Sequence, residues 1–398
     1  MSKKDRKFCV HHIEISHMSP NITGGETSLL GIVKHLNKYD KISQIIYTSE
    51  SGKEVYQKIL GKDGARVKFV VIGGKNIEKI HEYVAYYLRI FQIFFRVTKF
   101  SDNEDNIILS HEEFLPTLIY SLLLLRKNKN SRWFGIFHMR SPSIWRGFEG
   151  EYTGKFRFPN LRIIRYRFEQ WLFFLLSRNK IDTLITVNPS YEDFLKKIYK
   201  KVYVFKIFGG QDIPESSKKI KKKYDLCFMG RFHEQKGLFE LVDILKKVKK
   251  QRPGISLALL GGGVERIEKR FFKMIKENDL EENIKYFGYV SGNEKFDILR
   301  SCRVFLFPSY YESYPQTVLE AMTCGLPVLG YDIPPHRVFK KGMVRIPVLN
   351  NVEMTSEILE LLNNQNHYIT NKKDALEFSS VYSWDKTGEE VYKLITHG

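Results

Sequence analysis

The sequence predicts an α/β protein with two doubly wound domains, and three observations lead to this prediction. The chain has 398 residues, which is more than one ordinary core accommodates. Hydrophobic residues make up 43% of it and aromatic residues 14%, which excludes a disordered chain. Short strand-like runs alternate with helical patterns, and this alternation is typical of a parallel sheet covered by helices on both faces.

The net charge indicates the class of partner, and the cysteines indicate the redox compartment. The formal net charge is +19, so anionic partners are expected, such as nucleoside diphosphates, anionic lipid surfaces or nucleic acid. No zinc-finger, RNP or KH pattern is present, so a nucleic-acid partner is not predicted. The four cysteines are scattered without a C-x-x-C pair, which indicates buried free thiols in a reducing compartment. They are Cys9, Cys227, Cys302 and Cys324.

Neither a secretory nor a membrane-spanning segment is predicted. The basic residues 1–8 are not followed by the hydrophobic region of a signal peptide. The longest apolar runs, near residues 119–125 and 171–176, are far shorter than the roughly 20 residues that span a bilayer. We therefore expect a cytoplasmic protein, with peripheral association with the cytoplasmic face of a membrane as a hypothesis.

The first predicted domain covers residues 1–212 and contains seven strand-like runs. These runs are 8–15, 42–47, 67–72, 107–110, 133–138, 183–187 and 202–206. A loop that ends in Gly24-Gly25 precedes a predicted helix over 27–36; the glycines allow a close ligand approach, but an ordinary turn is the alternative. His138 closes the fifth run, where a lone histidine is either structural or functional.

Two segments of this domain combine basic and aromatic residues, namely Tyr83–Lys99 and Lys155–Lys180. Such helices can lie on an anionic membrane surface. Alternatively, their apolar sides cover the sheet while their basic residues are solvated. The membrane hypothesis predicts that charge reversal at Arg162 and Arg165 abolishes binding to anionic vesicles.

A short, polar and basic segment, residues 213–223, is the predicted linker to a second domain over 224–380. After a strand over Tyr224–Met229, Arg231 and Lys236 flank a loop at the entry of a helix. Two cations combined with helix amides suit a diphosphate, although either residue alone is more often a solvated surface residue. Strands over 255–260 and 284–290 follow, the first ending in a glycine turn at Gly261.

The most informative stretch follows the apolar strand Val304–Phe307. A polar loop carries Glu312, Thr317 is predicted to cap a helix with Glu320 in its first turn, and Gly325 ends that helix. Strand, polar loop and helix N-terminus form the geometry of a phosphate or sugar site at the carboxyl edge of a parallel sheet. The two carboxylates are eight positions apart, so they point at different parts of a ligand and do not form one metal cage.

This stretch resembles the E-x7-E signature of retaining glycosyltransferases of the GT-B fold, in particular family 4 (glycosyl transferases group 1). Glu312 and Glu320 occupy the two Glu positions, and the flanking Pro308–Glu312 and Glu320–Val328 also match. Residues 230–237 resemble the family's Gly-Arg-x-x-x-x-Lys-Gly motif, and Gly24-Gly25 resembles its Gly-Gly loop.

The resemblance implies two Rossmann-like domains that face a central cleft, with a last helix over 381–398 that crosses back onto the first domain. It implies that Arg231 and Lys236 hold the donor diphosphate and that Glu312 faces the sugar. It also places His138 beside the transferred sugar, although Met139 stands where the family has an acid. Glu320 is expected to accept hydrogen bonds from ribose hydroxyls. The other donor-binding candidates are Gly24, Gly25, Gly230, Gly261, Tyr289, Val290, Ser313, Tyr314, Pro315, Gln316, Thr317 and Val318.

The resulting prediction is a retaining hexosyltransferase that moves a sugar from a nucleoside-diphosphate sugar, such as a UDP- or GDP-sugar, to a saccharide or lipid-linked acceptor in the synthesis of cell-surface polysaccharide or glycolipid. No cofactor or metal is expected, since no D-x-D motif stands at a strand end. No second carboxylate is identifiable as a nucleophile, so front-face attack is expected. The alternatives are a nucleotide-sugar 2-epimerase of the same fold and a non-catalytic binder of sugar nucleotides or polyanions.

Overall fold

A computed structural model of the protein describes residues 7–16, 24–73, 82–205, 208–210 and 220–397. The chain divides into two compact units. Unit 1 comprises Met1–Ser141, Leu161–Gly209 and Trp384–Gly398, and unit 2 comprises Pro142–Asn160 and Gly210–Ser383. Each unit contains one parallel sheet with helices between its strands, so the predicted α/β class with two doubly wound sheets is confirmed.

Unit 1 is built on a seven-stranded parallel sheet. Its strands are β1 Phe8–Ile13, β2 Ile42–Thr48, β3 Val67–Val71, β4 Asp105–Ser110, β5 Arg132–Phe137, β6 Thr183–Thr186 and β7 Val202–Val204. Their order in the sheet is β3-β2-β1-β4-β5-β6-β7, so the strand order reverses between β1 and β4. These two strands run in register, with Phe8 opposite Asp105 and Ile13 opposite Ser110, and their carboxyl ends therefore lie side by side.

The helices of the chain connect the strands. In unit 1 they are α1 Gly24–Leu36, α2 Glu50–Leu60, α3 Glu82–Phe94, α4 Leu115–Lys127, α6 Leu161–Ser177, α7 Glu192–Lys196 and α14 Trp384–His397. In unit 2 they are α5 Gly147–Thr153, α8 Leu238–Gln251, α9 Glu265–Glu277, α10 Gly292–Arg300, α11 Gln316–Thr323, α12 Asn351–Asn363 and α13 Gln365–Ser380.

Unit 2 is built on a six-stranded parallel sheet. Its strands are β8 Tyr224–Met229, β9 Leu257–Leu260, β10 Ile284–Gly288, β11 Cys302–Phe307, β12 Val328–Tyr331 and β13 Met343–Ile346, in the order β10-β9-β8-β11-β12-β13. Alternate residues of β8 enter two different core clusters, Leu226 and Phe228 one and Cys227 and Met229 the other. The sheet is therefore covered on both faces, because successive side chains of a strand point to opposite sides.

The last helix of the chain packs in unit 1, as predicted from Ser383-Trp384. The Trp384 indole lies directly against Gly31 of α1, where a Cβ atom at position 31 would come within 2.3 Å of the ring. His35 of the same helix contacts Asp385 at 3.1 Å between Nδ1 and Oδ1. Gly31 therefore leaves the space that the indole of α14 fills.

Two features differ from the sequence-based prediction. Residues 142–160 cluster with unit 2 although they were predicted within the first domain, because Phe148 and Tyr152 pack on the ring of Tyr311, with centroids 5.0 Å and 6.0 Å away. Gly24 and Gly25 begin α1 instead of ending a loop. The predicted linker, 213–223, lies largely outside the described residues, which resume at residue 220.

The cysteines agree with the prediction of free thiols. None of the four forms a disulfide, and Cys9, Cys227 and Cys302 are buried. Burial raises the pKa of the Cys9 thiol to about 11 and that of Cys324 to about 12, which makes both thiols unreactive at neutral pH.

Candidate active site at the strand reversal of unit 2

The strand order of unit 2 reverses between β8 and β11. Ligands of open α/β sheets bind outside the carboxyl ends of the strands at such a point. Gly230-Arg231 follows β8 and Pro308–Glu312 follows β11. The structure therefore brings the two motifs together at the edge of the sheet where the prediction needs them.

Hydrogen bonds join the loops after β8 and β11. Tyr310 N–H donates to Gln235 O at 3.0 Å, and Gln235 Nε2 donates to Tyr311 O at 3.2 Å. Gly237 has a φ of +69° and lies so close to Pro308 that a Cβ atom would be 2.0 Å from its carbonyl oxygen. Only glycine fits this contact, and the loop that carries Arg231 and Lys236 is held against the loop that carries Glu312.

Lys236 and Glu312 form an ion pair at this edge. The Lys236 Nζ lies 2.5 Å from Glu312 Oε1, and the Ser309 hydroxyl donates to the same oxygen at 2.6 Å. Lys236 also lies over the ring of Phe307, 5.7 Å from its centroid. The ammonium is thus held in place, and two of its three N–H groups remain to bind an anion.

Arg231 lies at the start of the same loop and is exposed. A guanidinium on the rim and an ammonium fixed deeper in the site supply two positive charges within one loop, Gly230–Gly237. This arrangement suits a diphosphate, which the guanidinium binds bidentately and the ammonium binds as a point charge.

The start of helix α11 differs from the prediction. Pro315 occupies the N-cap position and the helix begins at Gln316, so Thr317 is not the cap and Glu320 lies beyond the first turn. Proline is tolerated at this end of a helix because the first amides have no partner within the helix. The predicted end at Gly325 is observed, with Gly325 N–H donating to Met322 O at 2.8 Å.

Glu320 is paired with a cation that the sequence analysis missed. The Lys295 Nζ of α10 lies 2.8 Å from Glu320 Oε1, and Lys295 also lies over the ring of Phe296 at 4.6 Å. Each carboxylate of the E-x7-E signature therefore has its own lysine. A lysine in the helix before β11 was visible in the sequence, but local patterns do not reveal which carboxylate it meets.

The residues between Glu312 and Glu320 differ in burial and therefore in the groups that they can offer to a ligand. Ser313 and Thr317 are half-buried, whereas the Tyr314 ring packs on Phe339 with centroids 5.9 Å apart. Val318 is fully buried and its N–H donates to Pro315 O at 3.1 Å, so the structure does not support a donor contact from this residue. Both polar side-chain atoms of Gln316 are buried and have no hydrogen-bond partner among the described residues.

The glycine turns after β8 and β9 lie against each other. Gly261 has a φ of +121°, and a Cβ atom there would be 1.9 Å from Gly230 O. Gly261 N–H donates to Gly288 O at 2.7 Å, which brings in the end of β10. Beyond that strand Tyr289 is exposed, whereas Val290 packs on the core. Gly230, Gly261 and Tyr289 therefore extend the same edge.

The predicted site residues of unit 1 lie on two elements. Gly24 and Gly25 begin α1, and the Ser28 hydroxyl donates to Gly24 O at 2.6 Å. His138 follows β5, and its Nε2–H donates to His111 O at 2.8 Å. Burial lowers the pKa of His138, so the imidazole is neutral at pH 7 and acts as a hydrogen-bonding group rather than a cation.

Three buried carboxylates of unit 1 were missed by the sequence analysis. Glu14 follows β1, and Glu112 and Glu113 follow β4, so all three lie where the strand order of unit 1 reverses. Glu14 accepts a hydrogen bond from Tyr56, and Glu113 accepts one from Tyr166 at 3.0 Å. Burial raises the pKa of Glu113 to about 7 and that of Glu14 well above its ordinary value. The available signal was a polar residue directly after each buried strand.

Neither a metal centre nor a membrane-spanning helix is found in the described part of the chain. No group of three or more His, Cys, Asp and Glu side chains there is placed to hold a metal ion. No helix there combines the length and hydropathy needed to cross a bilayer. The absence of a metal requirement stays a prediction.

The motifs of unit 2 predict a glycosyltransferase, and comparison with known proteins agrees with that prediction. Residues 210–376 match the family described as Glycosyl transferases group 1. The matched stretch covers most of unit 2 and contains the E-x7-E and Gly-Arg-x-x-x-x-Lys-Gly patterns.

Relatives and solved structures extend the likeness beyond that domain. The chain is 22% identical over 386 residues to an uncharacterized 41.2 kDa protein in the cps region of Klebsiella pneumoniae, covering 92% of this chain and 95% of the relative. It is 26% identical over 194 residues to the capsular polysaccharide biosynthesis glycosyltransferase CapH of Staphylococcus aureus, covering 47% of this chain and 52% of CapH. The match thus spans about half the length of CapH.

A solved structure shares the fold of nearly the whole chain. Anabaena HepE in complex with UDP-glucose superposes with a TM-score of 0.73 at 14% identity, covering 98% of this chain and 100% of that structure. The predicted GT-B fold class is confirmed by this likeness. None of these matches favours the epimerase or the non-catalytic binder.

Proposed function

We propose that this glycosyltransferase moves a sugar from a nucleoside-diphosphate sugar to a saccharide or lipid-linked acceptor, with retention at the anomeric carbon and without a metal ion. The observation that carries the proposal is the ion pair between Lys236 and Glu312 at the strand reversal of unit 2, beside the exposed Arg231. The likeness to HepE, which was solved with UDP-glucose, supports a nucleotide-sugar donor.

In this proposal the two cations stabilise the departing diphosphate. One N–H of Lys236 donates to Glu312, and the other two donate to phosphate oxygens. The exposed Arg231 guanidinium binds the same phosphates from the solvent side. Preorganised donors at a developing negative charge are typically worth about 3–4 kcal/mol each. One carboxylate oxygen of Glu320 accepts a hydrogen bond from Lys295, and the other accepts hydrogen bonds from the ribose hydroxyls.

Retention is proposed from the family resemblance, and the contacts of Glu312 bear on its route. Its Oε1 is engaged by Lys236 and Ser309, which makes this carboxylate a poor nucleophile. We therefore favour front-face attack: the bond between the anomeric carbon and the phosphate oxygen breaks, the bond to the acceptor oxygen forms, and the acceptor proton passes to the phosphate oxygen. The backbone amides of Ser313 and Thr317 orient the sugar. A role for His138 of unit 1 stays a prediction from the family resemblance.

The acceptor is proposed to belong to cell-surface polysaccharide or glycolipid synthesis. Two relatives point in this direction, one from a cps region and one named for capsular polysaccharide biosynthesis. A lipid-linked acceptor lies in a membrane, so we place the enzyme at the cytoplasmic face of one.

A thermal-shift screen tests the donor assignment. We expect one of UDP, GDP, ADP and CDP at millimolar concentration to raise the melting temperature, and the double variant Arg231→Ala/Lys236→Ala to lose that rise. Lys269→Ala/Lys273→Ala, which removes two exposed cations of α9 in the same unit, should keep it. Stabilisation by DNA alone, or an unchanged nucleotide response in the Arg231/Lys236 variant, would refute the assignment.

A further inference from the structure

The solvent-facing side of helix α3 is apolar. Phe91 is 68% exposed, and Phe95, directly after the helix, is 87% exposed. The other exposed apolar residues of this segment are Val84, Tyr87, Leu88 and Phe94. Their spacing of three or four residues places them along one side of the helix.

Helix α6 repeats this arrangement. Trp171 is 54% exposed, and the exposed apolar residues along the same side are Leu161, Ile164, Phe168 and Leu175. These positions again recur every three or four residues, so α6 also presents an apolar side to solvent.

The two helices are neighbours in unit 1. The Tyr86 hydroxyl of α3 donates to Glu169 Oε2 of α6 at 2.6 Å, and Arg165 of α6 lies over the Tyr86 ring at 5.3 Å. Tyr87 donates to the other oxygen of Glu169 at 3.5 Å. We call the combined surface the aromatic face. It consists of Val84, Tyr87, Leu88, Phe91, Phe94, Phe95, Leu161, Ile164, Phe168, Trp171 and Leu175.

Helices α3 and α6 are apolar on both sides, since Ile93 and Phe173 enter the core of unit 1 while the aromatic face lies in solvent. Their buried sides include Arg89, Glu169 and Gln170, each less than a twentieth exposed, while large apolar side chains face solvent. A sheet-covering helix buries its apolar side and exposes its polar one. Exposed apolar side chains concentrated on two neighbouring helices are typical of an interaction site.

The two helices and the residues that follow them carry exposed basic residues, which we call the basic rim. It consists of Arg96, Lys99, Arg162, Arg167, Arg178 and Lys180. The single acidic residue of α6, Glu169, is buried between the helices. Arg165 is not part of this rim, because it packs on Tyr86 and lies 3.6 Å from Glu169, so reversing its charge would disturb the helix pair itself.

We propose that the aromatic face is a docking surface for an anionic lipid bilayer, with Phe91, Phe95 and Trp171 inserted at the level of the headgroups and the basic rim on the lipid phosphates. Phenylalanine, tryptophan and basic residues on one side of a helix are the composition of interfacial helices. A second copy of the chain fits less well, since a symmetric dimer through this face would bring the two basic rims together. The proposal deepens the membrane placement made in the proposed function, on which it rests, and does not depend on the donor site.

Vesicle sedimentation tests the proposal. The full chain should co-sediment with vesicles of phosphatidylcholine and phosphatidylglycerol at low salt and much less with phosphatidylcholine alone. Phe91→Ser/Phe95→Ser/Trp171→Ser should lower binding to anionic vesicles at least tenfold. Arg178→Glu/Lys180→Glu should lower it by about tenfold or more, since each basic residue near such a surface contributes roughly 1 kcal/mol. The Trp fluorescence should shift to the blue with anionic vesicles, and Trp171→Phe should lose most of that shift.

Matched controls separate this surface from general charge and hydrophobicity. Val352→Ser/Ile369→Ser removes two exposed apolar side chains of unit 2, and Lys269→Glu/Lys273→Glu reverses two exposed cations there; both should bind as the unmodified chain does. The proposal is overturned if the unmodified chain ignores anionic vesicles at low salt, or if the triple variant binds equally well. It is also overturned if light scattering shows a dimer that the triple variant abolishes. Nucleotide stabilisation that persists in the triple variant leaves the donor assignment standing in each case.

Discussion

The two carboxylates of the E-x7-E signature are distinguished by the lysines that they meet. Glu312 is tied to Lys236, which points at the proposed diphosphate, and Glu320 is tied to Lys295 from α10. The same side-chain type can therefore support different steps. In the proposed function, Glu312 positions the cation that binds the leaving diphosphate, whereas Glu320 binds the ribose of the nucleotide.

This difference gives a prediction for two conservative variants. Glu320→Gln should raise the dissociation constant of the nucleoside diphosphate about tenfold, because a charge-assisted hydrogen bond to the ribose is lost. Glu312→Gln should lower kcat by about 10²–10³. Its nucleotide affinity should stay within about threefold, since Lys236 loses the carboxylate that competes with the phosphates for its N–H groups.

Calorimetry with the diphosphate and initial-rate kinetics with the full donor measure the two effects. Glu265→Gln, an exposed carboxylate of α9, is the control and should change neither. Equal losses of nucleotide affinity in both variants would contradict the separate roles.

Some residues of the candidate site could be predicted from the sequence, and others could not. Arg231, Lys236, Glu312 and Glu320 could be named because short motifs fix their types and spacing. Lys295 could not, because it meets a carboxylate 25 positions further along the chain and many lysines compete for that role. The three buried carboxylates of unit 1 follow strands whose adjacency becomes evident only once the sheet order is known.

Among the connecting elements, the loop that ends at Gly237 depends most on a single backbone position. Gly237→Ala should destabilise unit 2 by about 1–3 kcal/mol, because the residue has a positive φ and the new Cβ would meet Pro308 O. It should also weaken the nucleotide response, since the loop carries Lys236.

Gly254→Ala is the matched control, because no atom lies within 4 Å of the position of its Cβ. Denaturant unfolding of both variants and their thermal shift with the diphosphate make the comparison. Equal stability of the two alanine variants would show that the contact between Gly237 and Pro308 is not needed.

The existence and type of the elements were more predictable than their limits and partners. All strands named from the sequence occur, with ends that differ by up to two residues. The placement of 142–160 in unit 2 was not predictable, because it depends on the contacts of Phe148 and Tyr152 with Tyr311, more than 150 positions away. For α3 and α6, both sides are apolar, so the pattern alone could not decide which side the sheet covers.

For the molecule as a whole, buried histidines contribute a loss of stability toward acid pH. Burial lowers the pKa of His11, His12 and His336 to about 4. In the unfolded chain each takes up a proton near pH 6.5, so the folded state binds fewer protons between pH 6.5 and 4. Stability should therefore fall as the pH drops through this window, by up to about 3 kcal/mol per histidine.

Protonation of Glu113 changes the folding stability in the opposite direction over part of this pH range. Its pKa is raised to about 7, so the folded state holds a proton that the unfolded chain releases near pH 4.5. Its contribution is fully present below pH 4.5 and is lost as the pH rises through 7. Burial also raises the pKa of Glu14 and Glu112, so these carboxyls act in the same direction as Glu113.

His336→Asn tests this balance, since asparagine keeps a donor for Tyr331 O but does not titrate. Melting temperatures from pH 7 to pH 4 should fall less steeply in this variant than in the unmodified protein. The exposed His397 provides the control, and His397→Asn should follow the unmodified curve. Parallel curves for all three proteins would show that the burial of His336 does not contribute.

The path of the chain through the two units has a consequence for biosynthesis. Unit 1 takes its segments from three separate stretches of the polypeptide, and Trp384 in the third stretch fills the space left by Gly31. A nascent chain cannot place that indole before Trp384 has left the exit tunnel. Unit 1 must therefore stay incomplete until all of unit 2 has been synthesised, and products truncated before Trp384 should be recognised by proteases as unfinished.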